Sequence, residues 1–379
     1  MTDIIIGGDI YPGGSNLPLF QRGDAVSLFH DLLEEFNTSS LSIANLECPL
    51  IRKETPIRKV GPVLGASEES LKGIKAAGID LLNLANNHVM DHGPAGLENT
   101  IGLLKNSGLD YTGAGENLAS ARKILIKNVG YQRVGILGVA EHEFSIATET
   151  GWGANPLDVI DIARNISAHR SEFDYLIVLL HGGNEGFPFP RPSLLKTCRF
   201  IIEQGADAVI CQHSHCPGAW EHYRGGYIVY GQGNLLFEAE GKDAAWYEGF
   251  LVRLRIGGSD PVKMELIPFI QSAGFTGVKR MSDEREERFR SALESRSDLL
   301  IHREELEEHW NDYCRDHSGI LLEMLRGRVS LLQRVMRKMH LSPRISSKKR
   351  LVYLHLIRCE SYREAILNVL SGEDEADGR

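Results

Sequence analysis

The chain has 379 residues, of which 42% are hydrophobic and 25% charged, an ordinary globular composition that is too long for one minimal domain and suits one large domain with an appendage. Its 42 Lys and Arg against 51 Asp and Glu leave a net charge of −9, which excludes general electrostatic attraction to nucleic acid or to anionic membrane; a polyanionic substrate would need local compensation, such as bound divalent metal. The N-terminal apolar run lacks a basic flank and is soon interrupted by Gly and Asp, and no later run reaches ~18 residues, so neither a signal peptide nor membrane insertion is expected and the expected location is the cytoplasm.

Taken in chain order, residues 1 to about 275 alternate short β-branched runs with helical patterns. Strands are predicted at 3–7, 41–45, 80–84, 123–128, 133–139, 174–180, 207–211, 226–230 and 248–256, and helices at 24–37, 67–77, 94–107, 156–171 and 191–204. This alternation implies an α/β sheet protein, with antiparallel hairpins after 220 where runs are separated by Gly-Gly turns. Near 280 the composition turns to Glu, Arg, Leu and Lys. Ser282 is placed to cap a helix with acidic first-turn residues, and 321–340 and 351–370 are amphipathic at helical spacing, with a break around Pro343. The expected division is therefore 1–278 as the α/β domain, 279–370 as a helical C-terminal module and 371–379 as a flexible tail. The stretch 326–350 is net basic, either a solvated helix face or a contact for an anionic partner.

Six cysteines, Cys48, Cys198, Cys211, Cys216, Cys314 and Cys359, form no CxxC pair and read as buried free thiols. There is no P-loop, no dinucleotide fingerprint and no GxSxG elbow.

The chemistry lies at the ends of the apolar runs. Asp9 follows IIIGG, Asn45 and Glu47 end LSIANLE, Asn87 and His88 follow LLNLA, His181 ends DYLIVLL, and His213 and His215 follow AVICQ. Strands of one sheet end together, so these residues can converge. Carboxylates, an amide and imidazoles form a mixed oxygen and nitrogen set suited to Mn, Zn or Fe, the usual equipment of a two-metal hydrolase. His-x-His on extended backbone would put both rings on one face, one toward each metal or both toward one. Asp91, three residues after His88, can orient its ring. Asn45 can bond Glu47 or substrate, Glu185 can meet a water or a substrate amine, and Asn234 sits in a glycine loop after another strand. His92 reads as solvated or helix-capping.

The motifs GGD at 7–9, NLECPL at 45–50, LANNHVMDHG at 84–93, GAGEN at 113–117, HGGNE at 181–185 and GADAVICQHSHCPGAWEHYRGGYIVYGQGNLLF at 205–237 resemble, in order and spacing, the capsule biosynthesis protein CapA family, associated with poly-γ-glutamate synthesis. The resemblance covers roughly residues 1–275 and not the helical module. It implies a metallophosphatase-like, calcineurin-like mixed β-sheet sandwich flanked by helices, here with a C-terminal α-helical extension. It implies Asp9, Glu47, Asn87, His181, His213 and His215 as metal ligands, with Glu47 the bridging carboxylate, and His88 as the acid, supported by Asp91. Asn45, Glu185 and Asn234 are then substrate-binding candidates. Calcineurin-like enzymes carry a histidine two residues after the first Asp. Tyr11 stands there in this chain, so the first metal position is expected to lack an imidazole and the site to be mononuclear or to hold two ions unequally.

Two functions follow as expectations. One is a divalent-metal-dependent hydrolase of a phosphate ester, or of an amide, in capsule or poly-γ-glutamate biosynthesis, with water activated by metal and His88 assisting the leaving group. The other is a non-catalytic accessory protein that holds a polyglutamate in the same cleft. Either could engage a protein partner through the C-terminal helices.

Overall fold

The computed structural model describes residues 2–257, 262–325 and 346–377, with side chains to 371. Most of the predicted helix at 321–340, the break at Pro343, most of the basic stretch 326–350 and the end of the tail lie outside the described residues.

Two sheets pack face to face. In the first, strand Thr2–Ile10 pairs in parallel with Leu41–Leu46, which leads to Leu81–Asn83 and Asp110–Thr112; on its other side Glu248–Ile256, Lys263–Gln271 and Val278–Arg280 follow as an antiparallel meander. In the second, Gln132–Ala140, Tyr175–His181, Ala208–Gln212 and Gly226–Val229 are parallel, edged by antiparallel Leu125–Val129 and Trp220–Tyr223. Alternate residues separate the faces. Ile4, Ile6, Ile43 and Leu81 meet Ile136, Ile177, Leu179 and Ile210 between the sheets. Ile5, Ala44 and Leu82 face outward to one helical layer, and Val139, Val178, Leu180 and Val209 to the other. Strands covered on both sides must be apolar at every position, which is why they read as unbroken apolar runs.

The C-terminal helices Arg303–Leu325, Ser347–Arg358 and Glu360–Asp377 belong to that second outer layer. Leu306, Trp310, Cys314, Leu356 and Ile366 share a core with strand residues of the second sheet. Each such side chain contributes up to about 1.5–3 kcal/mol by leaving water. Polar latches fasten the last helix: His142 N donates to Glu360 Oε2 at 2.8 Å, and Arg191 Nε donates to Glu364 Oε2 at 3.0 Å. The fold is thus the expected sandwich with flanking helices and a C-terminal helical extension. All six cysteines are buried and free. Among the described residues no helix is long and apolar enough to cross a membrane.

One glycine is required for the site. Strand Asn234–Leu236 lies in parallel against the end of Thr2–Ile10, with Asp9 opposite Asn234. A Cβ on Gly8 would fall 2.0 Å from the Gly233 carbonyl oxygen, so only glycine admits this approach.

Candidate metal centre

The C-terminal ends of parallel strands from both sheets meet at one edge, and the predicted residues meet with them. In each of two groups, Glu47 with His181 and His213, and Asp9 with Glu47 and His215, one ligand atom per residue lies within 4.8 Å of the others. All five side chains are buried. Glu47 belongs to both groups. Neither of its oxygens has a hydrogen-bond partner, and His213 Nδ1 also lacks one. Buried polar atoms without partners are costly, and donors aimed at a common point are what a cation would satisfy. The residues present therefore fit a divalent metal, with hard oxygen and borderline nitrogen donors.

The electrostatics agree. Burial, and then the Glu47 charge, push Asp9 up to about 6; burial also raises Glu47. Burial drives His181 down to about 3 and His213 well below the usual imidazole range, the latter with His181 adding to the effect. His215 is opposed by burial, but Glu47, Glu185 and Asp9 together raise it. Two carboxylates pressed together out of water, beside His181 and His213 kept neutral, make a cavity short of positive charge that draws His215 toward its charged form.

Neighbours fix the ligands' positions. Asn45 Nδ2 donates to Asp9 Oδ1 at 2.7 Å and His213 N to Asp9 Oδ2 at 3.1 Å. Asn45 is fully buried, and its Oδ1 accepts from Asn83 and Asn86 at 3.2 Å each. It therefore bonds Asp9 and its amide neighbours rather than Glu47. Asn234 is equally buried, and its Oδ1 lies 2.8 Å from His215 Nδ1. Asn87 Oδ1 lies 3.0 Å from His181 Nε2, at the border of the Glu47, His181 and His213 group. Glu185 is exposed at the cleft; desolvation opposes its charge, but the neighbouring groups, His215 foremost, outweigh it and lower its pKa.

His88 Nδ1 is 2.6 Å from Asp91 Oδ2, the orienting contact expected from the spacing. Asp91 is held in turn by the backbone N–H of Leu64 at 2.7 Å and by Lys59 Nζ at 2.6 Å.

Three expectations need correction. His213 and His215 are not on extended backbone: the strand ends at Gln212, and both have left-handed φ, 93° and 54°. The turn, not strand alternation, sends each ring to a different group. The Asp9 position does not lack an imidazole, because His215 supplies one from the far sheet; Tyr11 turns aside and packs on Phe237, with ring centroids 5.0 Å apart. Of the two readings of His92, the solvated one fails and the capping one holds by position, since it is the N-cap of helix Gly93–Ser107 without a side-chain capping bond. It is buried, and its Nδ1 accepts from Thr55 N at 2.8 Å.

The sequence reading missed four members of this cleft. Lys59 sits in an irregular loop with no signal. Asn86 bonds Asn45 and the Leu46 carbonyl. Glu143 Oε1 accepts from Asn87 Nδ2 at 3.2 Å, and burial pushes its carboxyl up to about 7. Glu143 lies just past the apolar strand Gln132–Ala140, so the rule that found the other residues could have found it. His355 comes from the C-terminal helix Ser347–Arg358 and carried no such mark.

Comparison with known proteins identifies relatives of the chain. The family described as "Bacterial capsule synthesis protein PGA_cap" matches residues 3–239. The chain is 30% identical over 274 residues to "Capsule biosynthesis protein CapA" of Bacillus anthracis, covering 69% of this chain and 65% of that protein. It is 28% identical over 239 residues to "PGA biosynthesis protein CapA" of Bacillus subtilis (strain 168), covering 61% and 62%. The chain thus spans a little under two thirds of the length of these relatives. A solved structure of a hypothetical protein from Thermus thermophilus superposes with a TM-score of 0.45 at 16% identity, covering 71% of this chain and 99% of that one.

Proposed function

The chain belongs to the bacterial capsule synthesis protein PGA_cap family, and from that premise we propose that it serves the making of a capsule or polyglutamate polymer as a divalent-metal-dependent hydrolase of the phosphoesterase kind. The observation that carries the reading is Glu47, buried, unpartnered at both oxygens and common to two ligand groups.

Asp9, Glu47 and His215 would hold one ion, and Glu47, His181 and His213, with Asn87 beside them, a second. A bound divalent ion would supply Lewis acidity toward water and toward an ester or amide oxygen. The chain's own residues do the rest. Asn45 and the His213 backbone amide hold Asp9, and Asn234 holds His215. Asp91 engages His88 Nδ1, leaving Nε2 as the ring nitrogen that can pass a proton to a leaving group. Lys59 offsets the Asp91 charge inside the protein.

The test is metal content by elemental analysis together with turnover of an aryl phosphate. The reading expects bound Mn, Zn or Fe, turnover, and loss of most turnover but not of metal in His88→Ala. A metal-free protein that gains neither ion nor activity on reconstitution defeats the reading. Bound metal without turnover on any ester or amide leaves the accessory polymer-holding function in its place.

A further inference from the structure

The family match ends at residue 239, yet the C-terminal extension reaches the cleft. His355 is buried, and its Nδ1 has no hydrogen-bond partner. That atom lies 3.8 Å from Glu143 Oε2, too far for a hydrogen bond between them. The ring is fixed by stacking on Phe144 at 5.7 Å and 12°, and by Tyr362 at 4.5 Å. Burial holds the imidazole down to about 4, so it is neutral and can offer a lone pair.

With Glu143 ionised, as a bound ammonium would hold it, its oxygen and the His355 Nδ1 lone pair are two acceptors 3.8 Å apart. A hydroxyl has one hydrogen to give; a primary amine or ammonium has enough for both from a single nitrogen. The surroundings favour the charged donor. Glu185 adds a second carboxylate that acts on both His355 and Tyr362. Tyr362 adds an aromatic ring suited to a cation. Lys59, the nearby cation, is already paired with Asp91.

We propose that Glu143 and His355 form a subsite for a primary amine of the substrate, joined to the metal edge through Asn87, whose Nδ2 bonds Glu143 and whose Oδ1 reaches His181. The C-terminal extension is then a specificity element: it selects molecules with a free amino group one side chain away from the reacting centre. The subsite rests on the reading of the cleft as a place where polymer is held, and its test separates the two.

The full chain, with Mn²⁺ present, is titrated calorimetrically with a γ-linked glutamate tetramer bearing a free amino terminus and with its N-acetylated form. The free amine should bind about tenfold tighter, as loss of a charge-assisted contact predicts. Glu143→Gln and His355→Leu should each erase the difference with metal content unchanged, and His355→Gln, which keeps an acceptor, should restore part of it. Methylammonium alone, followed by the imidazole nitrogen resonances, should shift His355 in the native chain and not in Glu143→Gln. If neither tetramer binds but methylammonium still does this, the polymer reading fails and the amine subsite stands. If the two tetramers bind equally, or methylammonium leaves His355 unmoved, the subsite is overturned.

Discussion

The strand-end side of the cleft and its helical wall differ in how their residues come to be there. On the strand side, Asp9, Glu47, His181, His213 and His215 are placed by parallel strands buried on both faces, and each sits at or near a strand's C-terminal end. On the helical side, His355 and Tyr362 arrive from the C-terminal helices, whose seat is set by packing of Trp310, Leu356 and Ile366 against the second sheet. The first is rigid because its backbone is tied into sheets. The second depends on side-chain packing, so the chemistry of the edge and the selectivity of the wall should be separable by mutation.

The largest expected effect tests that separation. Trp310→Ala empties a buried site between the helices and the second sheet and should cost about 3–5 kcal/mol of stability in denaturant unfolding. Metal stoichiometry in the surviving folded protein should be unchanged. Loss of metal in folded protein would mean that the wall completes the edge.

Glu47→Gln attacks the edge itself. It halves the charge of the pair formed with Asp9 and weakens both ligand groups at once. Metal affinity should fall by about 100-fold or more, beyond what outer contacts usually contribute. Calorimetric titration of the native chain should also show unequal ions, because one group offers two imidazoles and one carboxylate and the other the reverse. Two equal, tight sites would contradict this.

A pH experiment isolates the wall. His355 is held at about 4 when folded, against 6.5 ordinarily. Between those values the unfolded chain binds the proton and the folded one does not, so its contribution to stability is lost as pH falls from about 6.5 toward 4. Metal-free His355→Gln should lack this loss, retaining on the order of 1–3 kcal/mol relative to the native chain at the acid end. Parallel pH curves for the two proteins would remove His355 from the account.

The smallest effect concerns an outer contact of the edge. Asn234→Ala removes the acceptor 2.8 Å from His215 Nδ1 and should weaken metal binding about tenfold, with folding little changed. An unaltered affinity would show that the loop backbone alone orients His215.

Much of the edge was legible because burial on both faces imposes a visible pattern. An apolar run that ends abruptly in Asp, Asn, Glu or His announces both the strand and the group at its end, and Glu143 was overlooked although it obeyed the same rule. Asn234 and Asn45 were picked out, but their positions as partners of His215 and Asp9 came from the structure. The positive φ at His213 and His215 could not be read from a sequence that looks like continuing strand. Neither could the grouping of His215, rather than His213, with Asp9.

The sequence by itself determined the alternation of strands and helices, the polar set at the strand ends, the His88 and Asp91 pair and the helical character of the described residues beyond 282. These are local or periodic properties, written within a few residues of one another. Only the tertiary structure decided that Glu47 is common to two ligand groups, that Lys59 and Asn86 support them, and that His355 faces Glu143 across more than 200 residues of chain. An amphipathic helix specifies that one face must be covered and leaves open by what; the partner is chosen by the packing of the whole.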